Sequence, residues 1–399
     1  MKRTMRLLTR GGGGSEHIAV LIDDQLCEYY VEAQNAQSMV GAIFLGRVER
    51  VLPGVNAAFV RLGLAQNGFL PSRESDSFHA RQGKAPLVTN EELLVQVKKD
   101  EKGDKGAYLT RDVTLVGQYV ILMPMSGFVG VSKRVTDEGE RKRALALGKR
   151  LGGGERGLIV RHAALFASED EIAEELQALQ DKWQAVAQAA TWRRAPSLML
   201  KDADMLTTLL RDYSARYECT VSSVAPRPAE LSPDVGWETL TPIELDALWQ
   251  GKRIDAEVKA AVRRRVELAG GASLVIDERE ALQTIDLNSG GNVTPASEGG
   301  LALEQNLAAV PEIARQIRLR NLSGILLVDF IDMKTDEDRA LVMDAMHAAV
   351  QDDRDKTVIH GFTSLGLLEM TRKRTRESLT SALCEPCARC HESGWVLKG

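Results

Sequence analysis

The sequence predicts a mixed α/β chain of several subdomains, and three observations carry that expectation. Its 399 residues exceed one ordinary domain and can bury several cores, which sets two to four subdomains as the starting point. Residues 40–125 break into short β-rich runs separated by turn signals such as Pro53-Gly54, the pattern of a small barrel. Beyond residue 252, strand-like runs are joined by a helical one, which predicts strands lying side by side in one sheet with a helix between them.

Along the chain, His17–Asp23 and Leu26–Val31 read as a short β element with a turn at Asp24-Gln25. Barrel strands are expected in the runs beginning at Gly41, Ala57, Gly68 and Leu93. Between 126 and 200 the pattern turns Gly-rich and helical. A helix starting at Ser168 opens with Ser-x-x-Glu, a capping box. Residues 220–250 carry four prolines and little periodicity, so a linker or irregular connection is expected there. An Arg-rich helix, a hairpin (Ser273–Asp277, Ala281–Leu287) and a Gly/Ser/Asn loop at 289–300 follow. Next comes a helix with Leu303, Leu307, Val310, Ala314 and Ile317 at helical spacing, with Pro311 as a kink or restart. A strand at 324–332, a helix opening at Thr335 and a short strand at Val358 complete the region.

The composition, 44% hydrophobic and 27% charged, is ordinary for a soluble protein, and the formal net charge of -5 gives no global pull toward nucleic acid. Polyanion binding would have to come from local clusters: Lys98, Lys99, Lys102 and Lys105; Arg141–Arg143; Arg263–Arg265; Arg372–Arg374. A solvated face is the competing reading of each. The N-terminus lacks a signal-peptide pattern, and no apolar stretch approaches the roughly 20 residues of a membrane span, so a cytoplasmic chain with no membrane segment is expected.

Asp286 and Asp329 carry the chemistry. Each ends an apolar strand-like run, Leu282–Gly290 and Gly324–Met333, where a carboxylate is costly to bury unless paired or metal-bound. Two such strands in one sheet can bring both to a hard cation such as Mg²⁺, which keeps several waters and suits metal-assisted phosphodiester hydrolysis. Asp332 lies at the strand's end as a supporting or substrate-facing group. Arg161 ends the run Gly157-Leu-Ile-Val in the same way and is either a buried ion-pair partner or a fork for an anion. Phe59 and Phe69, with Lys105 nearby, are either barrel core or an outward stacking face for single strands.

Taken in order, these motifs resemble the catalytic half of the ribonuclease E/ribonuclease G family. The likeness spans nearly the whole chain and rests on Ala57-Ala-Phe-Val with Gly68-Phe-Leu-Pro, Gly-Val-Ser-Lys-Arg at 130–134, and Gly157-Leu-Ile-Val-Arg. It continues through Glu280–Gly290, Glu312–Leu322, Val328-Asp-Phe-Ile-Asp-Met, Gly366–Arg374 and Cys387-Ala-Arg-Cys390.

The resemblance implies Mg²⁺ held by Asp286 and Asp329 with Asn288 orienting them, single-stranded RNA as substrate, and a 5′-phosphate on the downstream product. It further implies RNA contact through Phe59, Phe69 and Lys105, and a 5′-monophosphate pocket at Arg161 and His162. His162 stands where the family typically has threonine; its ring can donate a hydrogen bond and gain charge near neutral pH. The implied organisation is a ribonuclease H-like subdomain split over 1–39 and 200–260, an S1 (OB-type) barrel at 40–125, and a 5′-sensor region at 126–199. A DNase I-like subdomain at 261–383 and a zinc-link at 384–399 complete it. The family's small C-terminal domain is expected to be absent after Gly399, and 220–250 is shorter than the family's connection.

Three of the five cysteines cluster at Cys384, Cys387 and Cys390, a metal-binding rather than disulfide pattern. Zn²⁺ takes four ligands, so three arrangements are open. Cys387 and Cys390 can share one ion with a second protomer, as the resemblance implies; Cys384 with His391 or water can complete a single-chain site; or the thiols are free. Two function classes follow: an Mg²⁺-dependent endoribonuclease, or an RNA-binding protein of weak or no catalysis because the dimerising domain is missing.

Overall fold

The computed structural model describes residues 2–33, 38–75, 87–101, 104–135, 137–152, 156–228, 234–290, 298–385 and 387. Two compact units emerge, one made of 1–34 with 218–399 and the other of 35–217. The helix Met205–Tyr213 falls in the second unit.

In the second unit the strands Ile43–Leu52, Ala57–Arg61, Gly68–Pro71, Tyr108–Thr110 and Glu92–Lys99 pair in that order, and the last closes on the first. Closure leaves no free sheet edge. Phe44, Val48, Ala58, Val60, Leu70, Val95, Val97 and Leu109 fill the interior. Gly68 is required here, because a Cβ would lie 2.5 Å from a methyl of Leu109. The same unit carries a four-stranded sheet ordered Val129–Val131, Gly157–Val160, Val120–Met123, Leu115–Val116. It packs with the helices Glu138–Gly152 and Glu169–Ala190 around Leu122, Leu158, Val160, Ile172 and Leu176. Ser168 caps the longer helix, its side chain and that of Glu171 each accepting from the other's backbone N–H.

Among its described residues the first unit contains two sheets. One is ordered Gly236–Thr239, Tyr217–Ser223, Arg3–Gly12, Ser15–Ile22, Gln25–Ala33. Its Arg3–Gly12 strand was not anticipated, although Met5, Leu7 and Leu8 are buried in it. The expectation of an irregular 220–250 is corrected as well. Gly236–Thr239 runs parallel to Tyr217–Ser223, and a helix spans Pro242–Gly251. The overlooked signal was Thr241-Pro-x-Glu244, a capping box with proline in the first helical turn, where its missing N–H costs nothing.

The other sheet is ordered Arg265–Glu267, Ser273–Glu278, Leu282–Asn288, Gly324–Asp329, Leu368–Arg372, Thr357–Phe362. Its two central strands are parallel and joined through the helix Glu298–Leu319, which runs without a restart through Pro311. Ile285, Leu287, Leu326 and Val328 face Val310, Ile313 and Ile317 of that helix and Val342 and Met346 of the helix Asp336–Val350. The alternate residues of both strands point to the opposite face, as a period of two requires. No described helix is long and apolar enough to cross a membrane.

Arg372 departs from the expected basic patch, being 4% exposed. Its guanidinium donates to Asp353 at 2.6 and 3.0 Å, to Asp355 at 3.1 Å and to the Asn321 amide oxygen at 2.6 Å. Arg372→Met leaves the buried Asp353 charge without its main partner and is expected to cost about 3–5 kcal/mol. Adding Asp353→Asn should recover part of that loss in urea denaturation, which separates the buried charge from lost packing.

Candidate active site

Asp286 and Asp329 are register partners on the two parallel strands, at their carboxyl ends. Open α/β sheets place ligands outside the carboxyl ends of their strands, so this is the end where a site is expected. Thr284, Asp286 and Asn288 share the face opposite the apolar cluster, and Asp329 joins them because register partners in a parallel pair present side chains to the same side. The premise that these carboxylates are embedded is corrected: Asp286 is half-buried and Asp329 exposed. What they face is each other, across one strand spacing.

The electrostatics follow. The Asp329 carboxyl is pushed above the ordinary aspartate range, first by partial desolvation and then by the charges of Asp286 and Asp332. Asn288 Nδ2 donates to Asp286 Oδ2 at 2.9 Å and orients that carboxylate. Asp332 is exposed just past the strand.

One positioning group escaped sequence reading. Asn306, fully buried on the crossover helix, donates from Nδ2 to the Ile331 carbonyl at 2.8 Å and accepts from the Ile331 N–H at 3.0 Å. This two-way clamp fixes the backbone between Asp329 and Asp332. In the sequence Asn306 is simply a polar residue beside Leu307.

Among the described residues no three His, Cys, Asp or Glu side chains converge as a closed metal cage. Two adjacent carboxylates and an amide are nevertheless a suitable donor set for a hard divalent cation that keeps several waters. The mutual repulsion raising Asp329 is what a bound cation would relieve.

In the barrel, Phe59 and Phe69 are absent from the interior cluster and half-exposed. They are register partners with ring centroids 6.0 Å apart. Tyr108, a register partner of Phe69 on the next strand, adds a third ring at 6.2 Å. Lys105 is exposed just before that strand.

Arg161 forms an ion pair. Its Nη2 lies 2.6 Å from Asp212 Oδ1, with both side chains largely covered, and its Nη1 donates to the Gly117 carbonyl. Beside it, the Glu175 carboxylate accepts from three successive backbone N–H groups, those of Gln118, Tyr119 and Val120. That is an anion nest filled by a side chain of the protein itself. Gly117 permits the approach, since a Cβ there would collide with Glu175. Neither Asp212 nor Glu175 carries a sequence signal, because each reads as one acid among several on a helix. His162 opens a 3₁₀ turn, its ring 5.3 Å from that of Phe166. Cys384 and Cys387 are exposed beyond the helix Leu379–Leu383, while Cys390 and His391 lie outside the described residues.

With this geometry in place, comparison with known proteins is informative. A model of the "Ribonuclease E/G family" matches residues 114–375. "Ribonuclease G" of Salmonella typhimurium is 34% identical over 413 aligned positions, taking in 98% of this chain and 84% of that protein. "Ribonuclease G" of Escherichia coli is 33% identical with the same coverage. "Ribonuclease E" of a Nostoc species is 36% identical over 396 positions, covering 95% of this chain and 57% of that protein.

The raised Asp329 carboxyl makes a stability prediction whose sign is opposite to its importance. A folded-state pKa above the unfolded value means that the folded protein gains stability as pH falls and loses it as Asp329 ionises. Asp329→Asn should therefore melt at or above the wild-type temperature near pH 7 in chelator. The difference should shrink as pH drops through the carboxylate range. Adding a divalent cation should raise the wild-type melting temperature more than the variant's.

Proposed function

The chain belongs to the ribonuclease E/G family, and from that premise we propose that it is an endoribonuclease of RNA processing and decay, cutting single-stranded RNA with Mg²⁺ and leaving a 5′-phosphate downstream. The observation that carries this reading is the register pairing of Asp286 with Asp329 at the carboxyl ends of adjacent parallel strands.

In this proposal Asp286 and Asp329 hold Mg²⁺. The ion, when bound, supplies the positive charge that offsets negative charge gathering on the phosphodiester in the transition state. Asn288 keeps Asp286 in one orientation, and the Asn306 clamp holds Asp329 and Asp332 in fixed relation. Phe59 and Phe69 stack on bases and Lys105 meets the backbone, so the barrel acts as the S1 domain. The sheets of the first unit are assigned to the ribonuclease H-like and DNase I-like subdomains, and 126–199 to the 5′-sensor.

Cys387 and Cys390 share Zn²⁺ with a second protomer, with Cys384 as a further thiol; metal content and mass of Cys387→Ala assemblies check this. The cytoplasm, where such RNA turns over, is the proposed location.

The test of the catalytic reading is cleavage of single-stranded RNA with and without Mg²⁺. Asp286→Asn and Asp329→Asn are each expected to lose at least roughly 10³-fold in rate while RNA affinity changes far less. Cleavage by Asp329→Asn at the wild-type rate overturns the assignment.

The 5′-end pocket generates a second prediction, because Asp212 already engages Arg161. A terminal phosphate reaching Arg161 meets the charge of Asp212, which opposes it by about 1–4 kcal/mol at contact range. Asp212→Asn keeps the shape and removes that charge. It should increase the ratio of cleavage on 5′-monophosphate over 5′-hydroxyl RNA by roughly fivefold or more. Arg161→Ala should bring the ratio to about one.

A further inference from the structure

We infer that Tyr108 is a third stacking platform for single-stranded RNA, extending the Phe59–Phe69 pair by one base. This rests on the reading of that barrel face as RNA-binding, and goes beyond it by assigning a subsite to a strand the sequence did not reveal. Phe59, Phe69 and Tyr108 lie on three consecutive barrel strands and are successive register partners. Their rings form a row with centroid spacings of 6.0 and 6.2 Å and interplanar angles of 61° and 51°. None of the three belongs to the interior cluster, whereas their chain neighbours Ala58, Val60, Leu70 and Leu109 do. Each ring is half-exposed. A row of aromatic faces on an open barrel surface is the arrangement on which successive bases stack, whatever their identity.

The third ring is held as firmly as a platform requires. Its hydroxyl donates to Glu74 Oε1 at 3.2 Å and accepts from Arg73 Nη2 at 3.1 Å. Glu74 is fixed in turn by Lys98 at 2.8 Å, and its backbone carbonyl takes the Thr110 hydroxyl at 2.9 Å. This network anchors the polar end of the ring within the barrel wall, so little side-chain freedom remains to be lost when a base stacks. Two cations border the same ring. Lys99, the register partner of Tyr108, has its Nζ 5.8 Å from the ring centroid, and Arg73 is exposed at the hydroxyl end. Both put positive charge beside the ring, where it can meet the backbone of a strand stacked there, while Leu109 on the inner face packs into the core.

The experiment measures affinity for oligouridylates of increasing length by fluorescence anisotropy, in chelator so that no cleavage intervenes. Tyr108→Leu keeps an apolar side chain on the strand and removes the aromatic face; Tyr108→Phe keeps the face and removes the hydroxyl. Tyr108→Leu should weaken binding by about 5- to 150-fold, with a melting temperature close to that of Tyr108→Phe, and Tyr108→Phe should bind within a few-fold of wild type. The Tyr108→Leu loss should first appear at an oligomer longer than the shortest one on which Phe69→Ala shows a loss. Wild-type affinity of Tyr108→Leu at every length, while Phe69→Ala is impaired, overturns the third platform and leaves the barrel face standing. Wild-type affinity of both variants overturns the barrel face itself, and the third platform with it. A loss in Tyr108→Phe as large as in Tyr108→Leu also overturns stacking, because it assigns the effect to the hydroxyl.

Discussion

Two like charges held side by side are the constraint around which the first unit is arranged. Parallel pairing of Leu282–Asn288 with Gly324–Asp329 sets Asp286 and Asp329 opposite one another. Carboxylates roughly 5 Å apart repel by about 1 kcal/mol in water and about 3 kcal/mol at the effective dielectric of a protein surface. On the reverse of the same two strands Ile285, Leu287, Leu326 and Val328 are buried, each contributing about 1.5–3 kcal/mol. The apolar side therefore outweighs the charged side by a margin that lets the strands pair without a cation in place. Exposure of Asp329 keeps the repulsion near the lower figure. The site is built as a local electrostatic frustration on a firmly packed support, which is the condition under which a cation binds by relieving repulsion rather than by creating structure.

Much of this was legible in the sequence, because a carboxylate interrupts an apolar alternation visibly. The hairpin, the crossover helix and both aspartate strands follow from periodicity, and the capping box at Ser168 from its side-chain pair. Four of the five barrel strands were readable. The fifth, Tyr108–Thr110, spans three residues and carries too little alternation to register. The face that Phe59 and Phe69 occupy was ambiguous, because a ring at one position of a strand looks the same whichever side the barrel closes on. Closure decided it by drawing Ala58, Val60 and Leu70 inward.

What the sequence concealed are polar contacts between residues distant along the chain. Asn306 clamps Ile331 across a helix and a strand, and Arg372 reaches Asp353 and Asn321 from another strand. No spacing rule foretells such pairs, since each depends on tertiary distance. The Arg372–Arg374 run shows the resulting error: three basic residues in a row read as a surface patch, yet the first has its charge satisfied inside. Cluster counting treats charge as free when much of it is already committed.

That commitment bears on how a polyanion is met. The chain has 51 Lys and Arg against 56 Asp and Glu, and several of its arginines are engaged by its own carboxylates. Glu175 goes further by filling with a side chain the kind of amide nest that elsewhere receives phosphate. A formal net charge of -5 gives no long-range pull on RNA, and electrostatic attraction at physiological ionic strength fades over about 8 Å. Affinity must then lean on contacts that do not depend on net charge. Base stacking is such a contact, since every base offers an apolar face and the ring beneath needs no counter-ion released. The row of half-exposed rings offers such contacts without drawing on the arginines committed to Asp212, Glu28 and Asp353. Arg161, Arg318 and Arg372, each tied to a carboxylate of the protein itself, hold architecture rather than present their charge to a ligand.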